Sequence, residues 1–347
     1  MRIFNVQSVG AIAAVAIALP ISRADAQRVS SIAELRSALA NARPGMTISI
    51  APGTYDIGTR PLRIEDRRSL RIIGAGAGRT IIRASGSAPF IFELAASNDN
   101  LEIAGMTLQG ASRLRRNTHA LASGSDRMNL TRARFHDLDI RNVAVGISVA
   151  GSGNGICDDV EITSSSLNNI QDVMTPNGVT SGSGYGIHND GCSHVRISGN
   201  TIRNADRHSI YQASAYQPDR PAASGSIVIE NNVIIDHGKT SSLNNEWQVA
   251  LVVARSSNVV VSKNEIVNSY FDAISIEDPT EEGRRYAVRN VSLIDNTVRG
   301  SRAADLFLTA EGTFTSRGNR FYRGNVVSRP VIRRDGKGKS GRLSSEL

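Results

Sequence analysis

Four phrases of one form recur through the second half of the chain: HVRISGNTIRN at 194–204, SIVIENNVIID at 226–236, NVVVSKNEIVN at 258–268 and NVSLIDNTVRG at 290–300. They place Asn200, Asn232, Asn264 and Asn296 at a constant spacing of 32 residues. A fixed period in this range marks a solenoid, and the apolar residues inside each unit alternate with period two, as Val195, Ile197 and then Ile202 do, so each unit is a coil of strands. Asn suits one repeated turn position because it tolerates the left-handed conformation and its amide can bond the amides above and below. An ordinary turn residue accounts for one such Asn, not for four in register.

Weaker copies extend the pattern. Counting from Asn200, the ladder position falls on Ser165 (VEITSSSL), then Ala133 (LTRARF), then Met106 (LEIAGMTL), and downstream on Asn319 (FTSRGNRF); Leu70 and Ile72 begin a further unit. About nine rungs at about 4.8 Å each make a rod roughly 40 to 45 Å long. The repeats, the Asn column and the phrase AELRSALANARPGMTISIAPGTY together resemble right-handed parallel β-helix proteins of the pectate-lyase-like superfamily, over nearly all of the chain after its first 26 residues. The opening phrase looks like that of β-helical alginate and chondroitin lyases. The resemblance implies an all-β solenoid acting on carbohydrate, with lyase, hydrolase, epimerase and esterase all open, since a fold does not fix a function.

Residues 1–26 read as a secretory signal, with Arg2 in a basic start, an apolar run from Val9 to Ile21 and the small-residue site Ala24-Asp25-Ala26. The alternative, a membrane anchor, is disfavoured by the short run and the lack of a second span. A periplasmic or secreted protein is the expectation. Cys157 and Cys192 each precede a matched valine (Val160, Val195) by three residues, so stacking brings them to disulfide range in an oxidising compartment. Residues 31–42 read as an amphipathic helix with Ser31 as N-cap and Glu34 at the capping-box position, placed to cover the N-terminal end of a β-helix domain spanning 27–327. A solenoid capped in this way needs no partner, and a monomer is expected. Residues 328–347 are basic and poor in apolar residues, which reads as a disordered tail. The formal charge of +8 suits a polyanion. Export selects an acidic polysaccharide over nucleic acid.

A second strand precedes each Asn-bearing unit: Val145-Gly-Ile147-Ser148, Tyr185-Gly-Ile187-His188, His208-Ser-Ile210-Tyr211, Val249-Ala-Leu251-Val252, Asp272-Ala-Ile274-Ser275 and Asp305-Leu-Phe307-Leu308. With the third residue inward, the outward column is Ser148, His188, Tyr211, Val252, Ser275, Leu308. Catalytic groups are expected at Tyr211, His188, Arg207, His208 and Lys239. Substrate contacts are expected from Tyr185, Asn189, Asp190, Trp247 and Glu277. β-Elimination on a uronate needs a cation on the carboxylate, a base and an acid. Arg207 and Lys239 supply charge, a phenolate from Tyr211 beside those cations is the favoured proton-transfer group, and His188 can share the work.

Two other classes stay open. A glycoside hydrolase would use carboxyl pairs drawn from Asp158-Asp159, Asp190 and Glu277-Asp278, but the polygalacturonase residue set and the DPHD motif of C5-epimerases are not found. A binding module would stack sugars on Tyr185, Tyr211, Tyr216 and Trp247, although aromatics are only 5% of the chain, few for that task. No metal site and no cofactor is expected; the acidic calcium cluster of pectate lyases is not evident, and calcium is left open.

Overall fold

The structure, a computed structural model, describes residues 26–111, 118–123, 128–150, 155–172, 183–214, 225–239, 248–277, 280–281, 284–285, 288–310, 312–323 and 326–328. Among the described residues 29 strands join into one continuous sheet, each pairing in parallel with a counterpart in the next coil, and Thr280–Glu281 and Arg284–Arg285 form a separate antiparallel pair. One strand column runs Cys157–Thr163, Ser193–Ser198, Ile227–Glu230, Ser257–Ser262 and Arg289–Ile294. Its inward residues stack as Ile162, Ile197, Ile229, Val261 and Leu293, all fully buried. β-Branched residues dominate because each core position must pack against its own kind one rung above and below.

The Asn turns hold this column to the next. The Oδ1 of Asn232 accepts from the backbone N–H and the side-chain amide of Asn200, both at 3.0 Å, while its own Nδ2 donates to the Ile197 carbonyl at 2.9 Å and to Asn264 Oδ1 at 2.9 Å. The same four contacts repeat at Asn264, and the column ends on Asn319, which accepts from Asn296. A second ladder, absent from the sequence reading, runs along another turn: Asn169 Nδ2 donates to Asn142 Oδ1, and Asn204 Nδ2 to Asn169 Oδ1. These three residues all have φ between 52 and 60°, the left-handed conformation that Asn tolerates.

Asn232→Leu should therefore destabilise more than Asn319→Leu. The first strands the buried Asn200 amide and the Ile197 carbonyl between rungs, whereas Asn319 is only half-buried. Each buried orphan costs about 1 to 3 kcal/mol, so urea midpoints should differ by at least about 1 kcal/mol in free energy; equal midpoints would argue against a cooperative ladder.

Upstream the register differs from the sequence reading. Ser165 is level with Leu138, whose N–H donates to the Ser165 hydroxyl at 3.2 Å, and Leu138 pairs with Met106. Ala133 instead pairs with Val160, one strand earlier in the coil. The strand Asn129–Val143 is 15 residues long and passes from one face to the next without a separating coil segment; the corner is made by Asp137, at φ 52°, just before Leu138. Ile48 also pairs with Ile72, so the solenoid already includes Thr47–Ile50. The helix spans Ile32–Ala40 with Ser31 accepting from the Glu34 N–H, and it buries Leu35, Ala38 and Leu39 in the main core.

Cys157 and Cys192 form a disulfide with Cα atoms 4.4 Å apart, as the stacking of their rungs requires. Residues 1–25 and 329–347 lie outside the described residues, so of the expected leader and tail only Ala26 and Ser328 are seen, both in paired strands. No helix among the described residues is long and apolar enough to cross a membrane.

Candidate active site

Another strand column carries the polar cluster. Val145–Ala150, Tyr185–Asp190, His208–Ala213, Val249–Ala254 and Asp272–Glu277 pair in sequence, with Ile147, Ile187, Ile210, Leu251 and Ile274 stacked inward. Ser148, His188, Tyr211, Val252 and Ser275 consequently form one outward column. At its end the expected register is off by one. Leu306 pairs with Ile274, and Phe307, not Leu308, continues the outward column beyond Ser275. Leu306, Phe307 and Leu308 are all apolar, so alternation alone could not choose between the two phases.

A bend enlarges the cluster. A Cβ on Gly186 would lie 2.4 Å from the Ser209 carbonyl oxygen and 3.1 Å from the Ile202 side chain, so residue 186 faces inward like Ile187. Two consecutive inward residues put Tyr185 and His188 on the same outer face. The Tyr185 ring lies 4.8 Å from His188, 5.3 Å from His208 and 5.7 Å from Tyr211, centroid to centroid. Tyr211 in turn lies 5.3 Å from His188 and 5.3 Å from His208. The Arg207 guanidinium sits over Tyr185, 5.1 Å from its centroid, a cation–π contact that also fixes the ring.

Burial sets the proton states. His188 is held at about 4, mainly by burial and further by His119, Arg207 and Arg255. His208, with 5% of its surface exposed, is held well below its usual range by burial, opposed by its contact with the Val249 carbonyl, 3.0 Å from Nδ1. Both imidazoles are neutral at pH 7. Tyr211 is pushed up by burial; Arg255 pulls it down, but Asp190, Tyr185 and Glu277 add to the rise. This corrects the expected phenolate. The neighbouring cations do not outweigh desolvation, and Tyr211 at neutral pH is a proton donor.

Arg255 escaped the sequence reading. It follows the strand Val249–Ala254 at a turn with φ 51°, its side chain is 8% exposed, and it reaches Asp190 at 3.4 Å. No motif marks such a turn; only the stacking of three rungs brings it to Asp190. Asp190 and Glu277 stand in the outward column next to the rings, separated by Ala213 and Ala254. Glu277 is shifted upward by burial, against the Ser275 hydroxyl that donates to it. Three rung steps put their Cα atoms about 14 Å apart. Asp158, the other acidic candidate, is taken up by His194 at 2.6 Å.

Asn189 is a correction: it faces inward, fully buried, donating to Gln212 Oε1 at 2.7 Å and accepting from the Cys192 N–H. Strand alternation dictates this once His188 faces out. Lys239 is exposed and paired with Asp236 at 3.2 Å on the turn after Val233–Ile235, with no contact to the rings among the described residues. Trp247, Tyr216 and Asp278 lie outside the described residues. No group of His, Cys, Asp and Glu that could hold a metal ion occurs among the described residues.

The sequence matches the family described as right handed beta helix region, over residues 119–278 and 175–330. Among solved structures, an alginate lyase from Paenibacillus sp. str. FPU-7 is similar at 17% identity, covering 88% of this chain and 98% of its own, with a TM-score of 0.60. A 1,3-α-1,4-β-D-galactose-4-sulfate-3,6-anhydro-D-galactose-2-sulfate 4 galactohydrolase is similar at 12% identity over 91% of this chain and 89% of its own, with a TM-score of 0.50. The pectate lyase Pel9A is 15% identical over 84% and 72%, with a TM-score of 0.42. No curated protein matches the chain. At these identities the likeness to solved structures is one of fold.

Proposed function

The chain belongs to the right-handed β-helix family, and from that premise we propose that it is a polysaccharide lyase, cleaving a uronate-containing acidic polysaccharide, alginate-like or a bacterial exopolysaccharide, by β-elimination over the Tyr185–Tyr211 ring cluster. The observation that carries this reading is a neutral imidazole and a neutral phenol side by side, His188 and Tyr211, within the field of two guanidinium groups, Arg207 and Arg255. Elimination asks for that set. A guanidinium neutralises the uronate carboxylate and so makes the proton at C5 more acidic. His188 takes that proton, the C5–H electron pair forms the C4–C5 double bond, the C4–O bond breaks, and Tyr211 delivers its proton to the departing oxygen.

The substrate itself adjusts the base. Burial is the main cause that holds His188 low, and Arg207 and Arg255 add to it; a carboxylate that takes up their charge removes that added part and raises the basicity of the imidazole when it is needed. Tyr185 offers a ring for a sugar face, and Asp190 and Glu277 offer acceptors for hydroxyl groups. Lys239, expected as a catalytic group, is proposed instead as a contact to more distant sugars, Trp247 is kept as an expected sugar contact, and no cofactor enters the scheme. The alginate-lyase neighbour supports the substrate class, and the disulfide suits a periplasmic or secreted protein.

The test is a product assay on alginate, polyglucuronate and pectin. A lyase generates ultraviolet absorbance from unsaturated ends in step with new reducing ends. Reducing ends without absorbance would identify a hydrolase and overturn the reading. Binding without any new ends would identify a non-catalytic module.

A further inference from the structure

We propose that Ser148 is a positioning residue that fixes the tautomer of His188, its hydroxyl oxygen accepting the Nδ1–H so that Nε2 is left bare for the substrate. Ser148 and His188 are register partners on adjacent rungs, and Oγ lies 3.0 Å from Nδ1. The contact is built in by the backbone. Ile147 and Val149, on either side of Ser148, are fully buried, so the strand cannot rotate and the hydroxyl must stand on the outer face one rung from the imidazole.

The donor sense follows from the surroundings. On the other side Ser148 pairs with Ala122, which offers a methyl group and no side-chain acceptor, and Ser148 is half-exposed, so water can take its hydroxyl hydrogen. The hydroxyl is therefore free to accept from the ring. A neutral imidazole carries one proton, and the hydrogen bond at one nitrogen decides which nitrogen keeps it. Held on Nδ1, the proton leaves the lone pair on Nε2, across the ring from Ser148. Among the described residues no other hydrogen bond of this ring selects that tautomer.

The inference rests on the lyase reading for its catalytic meaning, but its first test needs no substrate. In full-length protein labelled with 15N-histidine, a long-range proton–nitrogen correlation should show His188 with a protonated Nδ1 and an unprotonated Nε2, the signal being assigned by its loss in His188→Gln. Ser148→Ala should abolish the single tautomer, and Ser148→Thr, which keeps the hydroxyl, should restore it. In turnover, Ser148→Ala should lower kcat by about 10-fold with KM unchanged, less than the loss of an acid or base itself, and Ser148→Thr should recover most of it. A wild-type His188 protonated on Nε2, or a tautomer that Ser148→Ala leaves unchanged, overturns the proposal. The two readings fail separately: a protonated Nδ1 that depends on Ser148 sustains the positioning role even where the product assay has rejected elimination.

Discussion

Tyr211→Phe is expected to fold normally and to lose at least about 10²-fold in kcat, the usual scale for removing a positioned acid or base. The substitution keeps the ring that packs between His188 and His208 and deletes only the oxygen. His188→Ala should lose a similar factor. Because the two act in one step, the double variant should be little worse than either alone. Arg207→Ala and Arg255→Ala should lower kcat more than they raise KM, since the carboxylate gains negative charge as the proton leaves. Arg207→Ala will also loosen Tyr185, over which the guanidinium lies, and Arg255→Ala will also release Asp190, so the two variants are to be read together. A hydrolase would tolerate Tyr211→Phe and fail on Glu277→Gln or Asp190→Asn. Full lyase activity in both Tyr211→Phe and His188→Ala would leave the outward column with no chemical role and end the assignment.

The parts of this molecule that repeat were legible, and the parts that depend on what one rung does to another were not. Asn200, Asn232, Asn264 and Asn296 announce their ladder by spacing, and Cys157 and Cys192 announce their bond by matched position. His188 and Tyr211 could be stacked because Ile187 and Ile210 set the phase of their strands. Where the phase is ambiguous, as at Leu306-Phe307-Leu308, or where one unbroken strand turns a corner, as at Asp137 before Leu138, the alignment slips. The direction of the Tyr211 shift was misread for a different reason. A sequence shows which charges stand near a phenol, but not how much water surrounds it, and here desolvation is the largest influence. Arg255 was invisible because its importance lies in reaching Asp190, 65 residues earlier.

Acid should unfold this protein well above the pH at which its carboxylates titrate. Four of the six histidines are held below their ordinary value by burial: His119 and His188 to about 4, His237 to about 3, and His208 well below 6.5. In the unfolded chain each binds a proton near pH 6.5, whereas the folded state refuses it, so the unfolded state gains protons first and stability falls as pH drops. The contributions of His119, His188 and His237 are fully present above about 6.5 and are lost progressively down to their folded values of about 3 to 4, and that of His208 falls in the same direction. Because four groups act in the same direction, their effects on stability add as the pH falls. Glu277, shifted upward, works weakly in the opposite sense, since protonating it relieves a burial penalty. Asp56, lowered to about 2, adds its loss only below about 4. His237 is the best probe. It is fully buried against Ser209, 3.3 Å from Oγ, at the back of the strand that carries His208 and Tyr211, and it takes no part in the proposed chemistry. The urea midpoint should fall steeply from pH 6.5 to 4.5, and His237→Gln, whatever it costs at pH 7, should make that fall shallower by removing one titrating group. A midpoint that stays level across this range would mean that the buried imidazoles accept protons without opening the coil, and that burial does not hold His188 below its ordinary value.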